Sequence, residues 1–148
     1  MYNNLKIINK KPYGLDSIML YSVTKRKLHL AWNGYYKYTA DSVSKNVPED
    51  AGVYKISVSQ RDGTLKVHYV GQAENLQKRL KEHLNLDNEQ NECLVEHINR
   101  YSCSYKFALV SKQEDRDAAE RALYIHYKPE CNDPDAIPDA PDVEINPN

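Results

Sequence analysis

The sequence lacks the features that mark secreted, membrane-spanning or cysteine-stapled proteins. Only three cysteines, Cys93, Cys103 and Cys131, occur in 148 residues, and their odd number and wide spacing predict free thiols in a reducing cytoplasm. No apolar run approaches the roughly 18 residues that a membrane helix needs, and the polar N-terminus has no signal-peptide stretch. We therefore expect a cytoplasmic protein with no membrane association.

Tryptophan and phenylalanine are nearly missing, with one of each against twelve tyrosines, so most aromatic side chains carry a hydroxyl. The remaining composition, 41% hydrophobic and 28% charged, is that of a folded globular chain and excludes intrinsic disorder as the dominant state. The length excludes two full domains.

Basic and acidic residues nearly balance, with a net charge of only -1, but they are unevenly distributed along the chain. Residues 1–46 contain eight basic and two acidic side chains, a net charge of +6, whereas residues 133–148 contain five acidic side chains and four prolines. The basic segment indicates either attraction to a polyanion or simply a solvated face. We expect the acidic segment to be an extended or mobile tail, with folding back over the basic segment as a further hypothesis.

Two strands and a hairpin turn are the clearest local prediction. Alternating apolar residues in AGVYKISVS and LKVHYVG predict neighbouring strands, and Asp62-Gly63 between them is typical of a tight turn. The segment SYKFALV, residues 104–110, is predicted to be a third strand. Weaker patterns predict short strands at residues 5–9 and 27–32, a helix at 17–23 and irregular structure at 34–46.

Three helices complete the predicted fold. Asn75 is a suitable N-cap for the first, a second is expected from about residue 89 to 101, and Ser111 with Glu114 predicts the start of a third that Pro129 ends. From Gly52 the order is β-β-α-α-β-α. This order predicts an α/β (α+β) fold with a three-stranded antiparallel sheet flanked by helices, and an N-terminal extension that can add short strands.

Candidate functional residues lie on these elements. Tyr54 and Tyr69 stand on paired strands, where tyrosine most often belongs to the core, and Arg79 and His83 share one helix face. Glu120 lies far from the apolar arc of its helix, which favours a solvated ion pair with Arg116 over a metal ligand. Because Cys93, His97 and Cys103 lack paired zinc-ligand spacing, we expect no metal there.

Taken together, these residues resemble the GIY-YIG nuclease superfamily over about residues 47–132. GVY at 52–54 and YVG at 69–71 are similar to its two signatures, and Arg79 follows Tyr69 by ten residues. His83 occupies the usual His/Tyr position, and ERALYIHYKPECN, from Glu120 to Asn132, is similar to the family's late glutamate-helix-proline-asparagine run. The two signatures are separated by fourteen residues, more than in compact members, and Gln72 stands where several members carry a lysine.

The resemblance implies a Mg²⁺-dependent (or Mn²⁺-dependent) endonuclease acting on DNA. Glu120 would hold the metal, Arg79 the scissile phosphate, and Tyr54 would accept the proton of the attacking water. Tyr69 would hydrogen-bond in the same pocket and His83 would relay a proton or orient Tyr54. Asn132 would fix the last helix or the nucleic-acid backbone. The expected substrate contacts are Gly71, Gln72, Asn132, Lys10, Lys11, Lys25, Arg26 and Lys27.

Two other interpretations stay open beside this one. Gln72 and the low net charge favour a catalytically weak or silent module that binds nucleic acid or a partner protein. The other interpretation is a nuclease subunit that needs a partner protein for targeting. We expect three segments, namely a basic extension (1–46) packed on the core, a nuclease-like domain (47–132) and an acidic tail (133–148), in a monomer or a dimer.

Overall fold

The computed structural model describes residues 3–10 and 17–148, with side chains from Thr24 onward. Of the predicted nucleic-acid contacts, Lys11 lies outside the described residues and Lys10 is described by its backbone alone. The elements in chain order are β1 (Asn3–Lys10), β2 (Ser17–Thr24), β3 (Arg26–Leu28), β4 (Asn33–Lys37), α1 (Ala40–Asn46), β5 (Gly52–Ser59), β6 (Leu65–Ala73), α2 (Leu76–Leu84), α3 (Glu92–Arg100), β7 (Cys103–Leu109), α4 (Gln113–Tyr127) and β8 (Val143–Ile145). The predicted β-β-α-α-β-α order is confirmed from Gly52 onward.

The central sheet has four antiparallel strands in the order β4-β7-β5-β6, one more than predicted. The fourth strand comes from the N-terminal extension, where β4 pairs with β7 from Asn33↔Phe107 to Lys37↔Ser104. Irregular structure at 34–46 was therefore the wrong prediction, because an edge strand followed by the short α1 buries too few side chains to show periodicity. The predicted helix at 17–23 is also wrong, since β2 pairs antiparallel with β1.

Strand β5 lies at the centre of the sheet and is covered on both faces. Tyr54 and Ile56 pack with Leu76 and Leu80 of α2 on one side. Val53 packs with Leu123 of α4 on the other. Because both faces are covered, the side chains of Lys55 and Ser57 are also buried. The sheet therefore presents the ends of β5 and β6 between two helical layers.

Local capping and turn predictions are mostly confirmed. Gly63 adopts a positive φ of 85° in the β5–β6 turn, and the Asn75 side chain accepts a hydrogen bond from the Lys78 backbone N–H at 3.0 Å. The prediction of Ser111 as the α4 N-cap is wrong. Arg116 donates a 2.7 Å hydrogen bond to the Ser111 carbonyl, and α4 begins two residues later with no side-chain cap.

The acidic tail is extended but packed, although its composition predicted no contribution to the core. Val143 is buried, and β8 pairs in parallel with β3 from Arg26↔Val143 to Leu28↔Ile145. Asn146 accepts from the Leu30 N–H and donates to the Leu30 carbonyl, each at 2.7 Å. The tail thus folds back onto the basic strand β3, while its action as a nucleic-acid mimic stays a prediction.

The prediction of three free thiols is wrong for two of them. Cys93 and Cys131 form a disulfide, and only Cys103 of the three cysteines is free. The start of α3 and the segment after α4 pack together and bring two Cα atoms to 5.3 Å, a proximity that a separation of 38 residues does not reveal. Within the described part of the chain, no helix has the length and apolar character needed to cross a bilayer.

Candidate active site

An open cavity of about 740 Å³ lies where the ends of β5 and β6 meet α2, α4 and the segment after α4. Most of the residues predicted for the site line it together, namely Tyr54, Tyr69, Gly71, Gln72, Arg79, Glu120 and Asn132. His83 is buried behind Tyr54 and does not line the cavity itself. Segments that are distant in sequence thus converge on one concave surface.

The glycine of the second signature makes room for the tyrosine of the first. Tyr54 and Gly71 are register partners on β5 and β6, and a Cβ atom on Gly71 would lie 2.5 Å from the Tyr54 hydroxyl. Any side chain at position 71 would therefore displace the phenol. The hairpin thus brings the two signatures together, and the second one needs a glycine opposite Tyr54 for a steric reason.

Tyr54, His83 and Glu89 form a buried chain of hydrogen bonds. The Tyr54 hydroxyl lies 2.6 Å from His83 Nε2, and His83 Nδ1 lies 2.8 Å from Glu89 Oε2. A carboxylate only accepts, so Nδ1 of the neutral ring carries the proton and Nε2 accepts from Tyr54. Burial, reinforced by Arg79, lowers the pKa of His83, which keeps the ring neutral near pH 7. Burial also raises the pKa of Tyr54 well above its usual value, while Arg79 lowers it.

Glu89 was not identified from the sequence. It lies in the loop between α2 and α3, where its backbone N–H donates to the Asn85 carbonyl and its Oε1 accepts from the Asn91 N–H. Only the loop conformation brings it under His83, and a separation of six residues gives no periodic signal. Its side chain is 9% exposed.

Arg79 lies on the cavity side of α2 with its guanidinium partly exposed. Its Nη1 donates to Glu82 Oε2 at 3.1 Å, an ion pair between half-exposed side chains that contributes about 0–1 kcal/mol. Tyr69 lines the same cavity as Arg79. Burial raises the pKa of Tyr69, and the Arg79 cation lowers it.

Glu120 is held toward the cavity by Gln72. Gln72 Nε2 donates to Glu120 Oε2 at 2.8 Å and to Asp117 Oδ1 at 2.7 Å. Burial raises the pKa of Glu120, as does Asp117, whereas the hydrogen bond from Gln72 lowers it. The predicted ion pair between Glu120 and Arg116 is wrong, because Arg116 is buried and donates to backbone carbonyls.

These contacts make Glu120 a suitable ligand for a hard cation. A partly desolvated carboxylate with a second carboxylate nearby gains from a divalent positive charge, and carboxylate oxygen is what Mg²⁺ prefers. Asp117 was missed in the sequence, although its i, i+3 spacing to Glu120 places both on one helix face.

Asn132 makes two hydrogen bonds to the backbone of β6. Its Oδ1 accepts from the Val70 N–H at 2.9 Å and its Nδ2 donates to the Val70 carbonyl at 2.8 Å. The side chain therefore ties the segment after α4 to β6, and its contact with nucleic acid stays a prediction.

The basic residues of β3 and its neighbour do not line this cavity. Arg26 forms a 2.9 Å ion pair with Asp115, Lys27 is exposed, and Lys25 lies in a separate groove beside α4 and β8. Their role as nucleic-acid contacts stays a prediction.

Comparison with known proteins gives one family match. A family model described as the GIY-YIG catalytic domain matches residues 50–132, more than half of the chain. Among solved structures, the GIY-YIG N-terminal endonuclease domain of UvrC from Thermotoga maritima bound to magnesium is 25% identical, with 59% of this chain and 88% of that chain covered and a TM-score of 0.45. A point mutant of that domain, bound to its catalytic divalent cation, is 25% identical, with 59% and 87% covered and the same TM-score. No curated protein matches.

Proposed function

This chain belongs to the GIY-YIG family of nucleases, and on that premise we propose that it is a Mg²⁺-dependent endonuclease that hydrolyses phosphodiester bonds in DNA. The observation that carries the proposal is the single cavity shared by two phenols, a guanidinium and a carboxylate, those of Tyr54, Tyr69, Arg79 and Glu120. Hydrolysis at phosphorus builds up negative charge, and fixed cations and hydrogen-bond donors lower that barrier most.

Arg79 binds the scissile phosphate in this proposal. Its guanidinium is charged at every physiological pH, and its planar fork matches two phosphate oxygens. Binding replaces the weak pair with Glu82 by a charge-assisted contact. Tyr69, beside the same cation, donates a hydrogen bond within the pocket.

Tyr54 accepts the proton of the attacking water. A free phenol is a weak acid, and burial makes its ionisation harder still, so Tyr54 must pass on its own proton as it receives the new one. His83 Nε2 is placed to take it at 2.6 Å, and Glu89 stabilises the imidazolium that results. Tyr54 thereby serves as a base without a free phenolate.

Glu120 would hold the divalent cation, with Gln72 fixing the orientation of the carboxylate. When bound, Mg²⁺ supplies Lewis-acid stabilisation of the charge on the phosphate and the leaving oxygen. Gln72 occupies the position of a lysine found in several family members, and it orients Glu120 without adding charge.

The basic extension supplies part of the DNA affinity. Its side chains contact the phosphate backbone of the DNA and not the bases, and the residues are Lys10, Lys11, Lys25, Arg26 and Lys27. Alanine at these five positions should flatten the dependence of binding on log salt concentration, and an unchanged slope would exclude the contacts. We also propose that the protein acts in the cytoplasm, as a monomer or a dimer, and that a targeting protein can bind it.

Nicking of supercoiled plasmid DNA tests the proposal. We expect cleavage with Mg²⁺, loss of cleavage in Glu120→Gln, and wild-type rates in Glu114→Gln, an exposed position on the same helix. Retained activity in Glu120→Gln would refute the assigned metal ligand. DNA binding by the wild type without any nicking would instead support the non-catalytic alternative.

A further inference from the structure

A second cluster of potential metal ligands lies beside the proposed active site. Cys93 and His97 are one turn apart on α3, Cys131 follows α4, and their ligand atoms all lie within 4.8 Å of one another. His97 Nδ1 is 3.8 Å from Cys93 Sγ and 3.6 Å from Cys131 Sγ. The sequence failed to indicate this set because the third member is Cys131 and not Cys103.

We propose that the reduced protein holds a zinc ion through the thiolates of Cys93 and Cys131 and the imidazole of His97. Two thiolates and an imidazole are a typical ligand set for zinc. Zinc–sulfur bonds of about 2.3 Å and zinc–nitrogen bonds of about 2.0 Å give tetrahedral N···S edges of about 3.5 Å. The two N···S distances in the structure are close to that value. Helical i, i+4 spacing already aims two of the ligands the same way.

Zinc and the disulfide are alternative states of the same two sulfurs. A dithiol reductant gives two electrons and two protons to the disulfide, which yields two thiols, and the dithiol is itself oxidised to a disulfide. Zinc then displaces the two thiol protons and forms two zinc–sulfur bonds. The start of α3 and the segment after α4 can therefore be linked either by the disulfide or by zinc.

His68 is an independent indication of a ligand here. It is 1% exposed, and neither ring nitrogen finds a hydrogen-bond partner among the described residues. A buried imidazole without partners is costly. Its ring stacks on that of His97 with centroids 5.0 Å apart, and its carbonyl accepts from the Cys131 N–H at 2.9 Å. We assign His68 to the fourth position, because it is buried, unpaired and stacked on a proposed ligand.

Glu130 provides the outer support that such sites need. Its Oε2 lies 3.4 Å from His97 Nε2, so it would accept the Nε2 proton of a ring that binds metal through Nδ1. In the disulfide form, His97 Nδ1 donates to the Cys93 carbonyl at 2.7 Å, and zinc would replace that hydrogen bond. A small cavity of about 210 Å³ is lined in part by His68, His97 and Glu130.

The zinc, like the disulfide, would hold together two walls of the active-site cavity. Asn91 and Cys131 both line that cavity, and Asn91 Nδ2 donates to the Cys131 carbonyl at 2.9 Å. The next residue is Asn132, which binds β6. The zinc is structural in this proposal and does not depend on catalysis.

Metal uptake by the full chain tests the inference without reference to nuclease activity. The protein is reduced anaerobically with a phosphine, loaded with Zn²⁺ and freed of excess metal, and zinc per chain is measured by mass spectrometry. We expect one zinc in the wild type, in Cys103→Ser and in Glu120→Gln, and loss of it in Cys93→Ser and Cys131→Ser. With Co²⁺ as the probe, thiolate-to-metal charge-transfer absorption should appear only in the proteins that keep both ligand cysteines.

The histidines are tested by competition with a chelating dye. His97→Ala and His68→Ala should both lose tight zinc binding, and Glu130→Gln should weaken it about tenfold. No zinc uptake by the reduced wild type, or equal uptake by every cysteine variant, would overturn the site. An unchanged affinity in His68→Ala would overturn the assignment of the fourth ligand.

Discussion

The Tyr54 hydroxyl lies 2.6 Å from His83 Nε2, and both side chains are about 1% exposed or less. In the proposed mechanism, this contact determines where the proton of the attacking water goes. Because Glu89 accepts from the other ring nitrogen, the imidazole has a defined acceptor side that faces the phenol. The relay therefore depends on a residue that contacts neither the phosphate nor the metal.

Glu89→Gln should lower the nicking rate about 10²-fold with little change in KM. A glutamine amide can donate to Nδ1, which would move the ring proton to Nε2 and leave Tyr54 without an acceptor. Glu92→Gln is the matched control, since Glu92 also lines the cavity but makes no contact with His83. Equal rates in both variants would remove Glu89 from the relay.

The pH–rate profile should show its acidic limb below pH 6.5, the ordinary pKa of histidine. Burial and Arg79 lower the pKa of His83, and only the neutral ring can accept the Tyr54 proton. Activity is therefore retained as the pH falls to 6.5 and is lost only when His83 becomes charged at lower pH. Single-turnover nicking at saturating Mg²⁺ measures the limb, and a limb above pH 6.5 would contradict a lowered pKa.

Gly71→Ala should abolish most activity while costing about 1–3 kcal/mol of stability. The added Cβ would meet the Tyr54 hydroxyl and displace it from His83. Gly63→Ala is the control, because position 63 has open space around it but a positive φ. That control should lose about 1–2 kcal/mol of stability and keep its activity. Thermal melting and nicking assays together separate the two effects, and full activity in Gly71→Ala would contradict the steric account.

Lys55 should make the free energy of unfolding depend on pH in the alkaline range. Its side chain is buried, its Nζ donates to the Pro147 carbonyl at 2.6 Å, and it lies 4.8 Å from the centre of the Trp32 ring. Burial and Lys106 lower the pKa of Lys55 to about 8, against 10.5 for a free lysine. Between these values the unfolded chain binds a proton that the folded chain does not, so folding becomes more favourable as pH rises.

Denaturant unfolding of the wild type and Lys55→Met at a series of pH values measures this effect. The difference in unfolding free energy should be constant below pH 8 and should shift in favour of the wild type from pH 8 to 10.5. A difference that is flat throughout, or that shifts the other way, would show that the folded ammonium is not destabilised.

Local chemistry made part of this molecule predictable. The Asp62-Gly63 turn, the Asn75 cap and the two signatures act within a few residues, and so the β5–β6 hairpin and the start of α2 could be placed from sequence. Arg79 and Glu120 were identified by resemblance to the family, and the helix pattern alone argued against Glu120.

The remaining features depend on contacts between distant segments. Strand β4 exists because β7 supplies its backbone partners, and the tail packs because Asn146 reaches Leu30 across 116 residues. The pairing of Cys93 with Cys131 and the position of Glu89 under His83 likewise follow from tertiary packing. None of these has a periodic or local signature.

Cleavage of a panel of duplex, flap and junction DNAs with Mg²⁺ or EDTA, by the wild type, Arg79→Ala and Arg100→Ala, tests the shared cavity most directly. Arg100 is an exposed control that pairs with Glu96 on α3. We predict cleavage of at least one substrate with Mg²⁺ only, unchanged in Arg100→Ala and slowed about 10²- to 10³-fold in Arg79→Ala. Cleavage that persists in EDTA, or that Arg79→Ala leaves intact, would contradict the account.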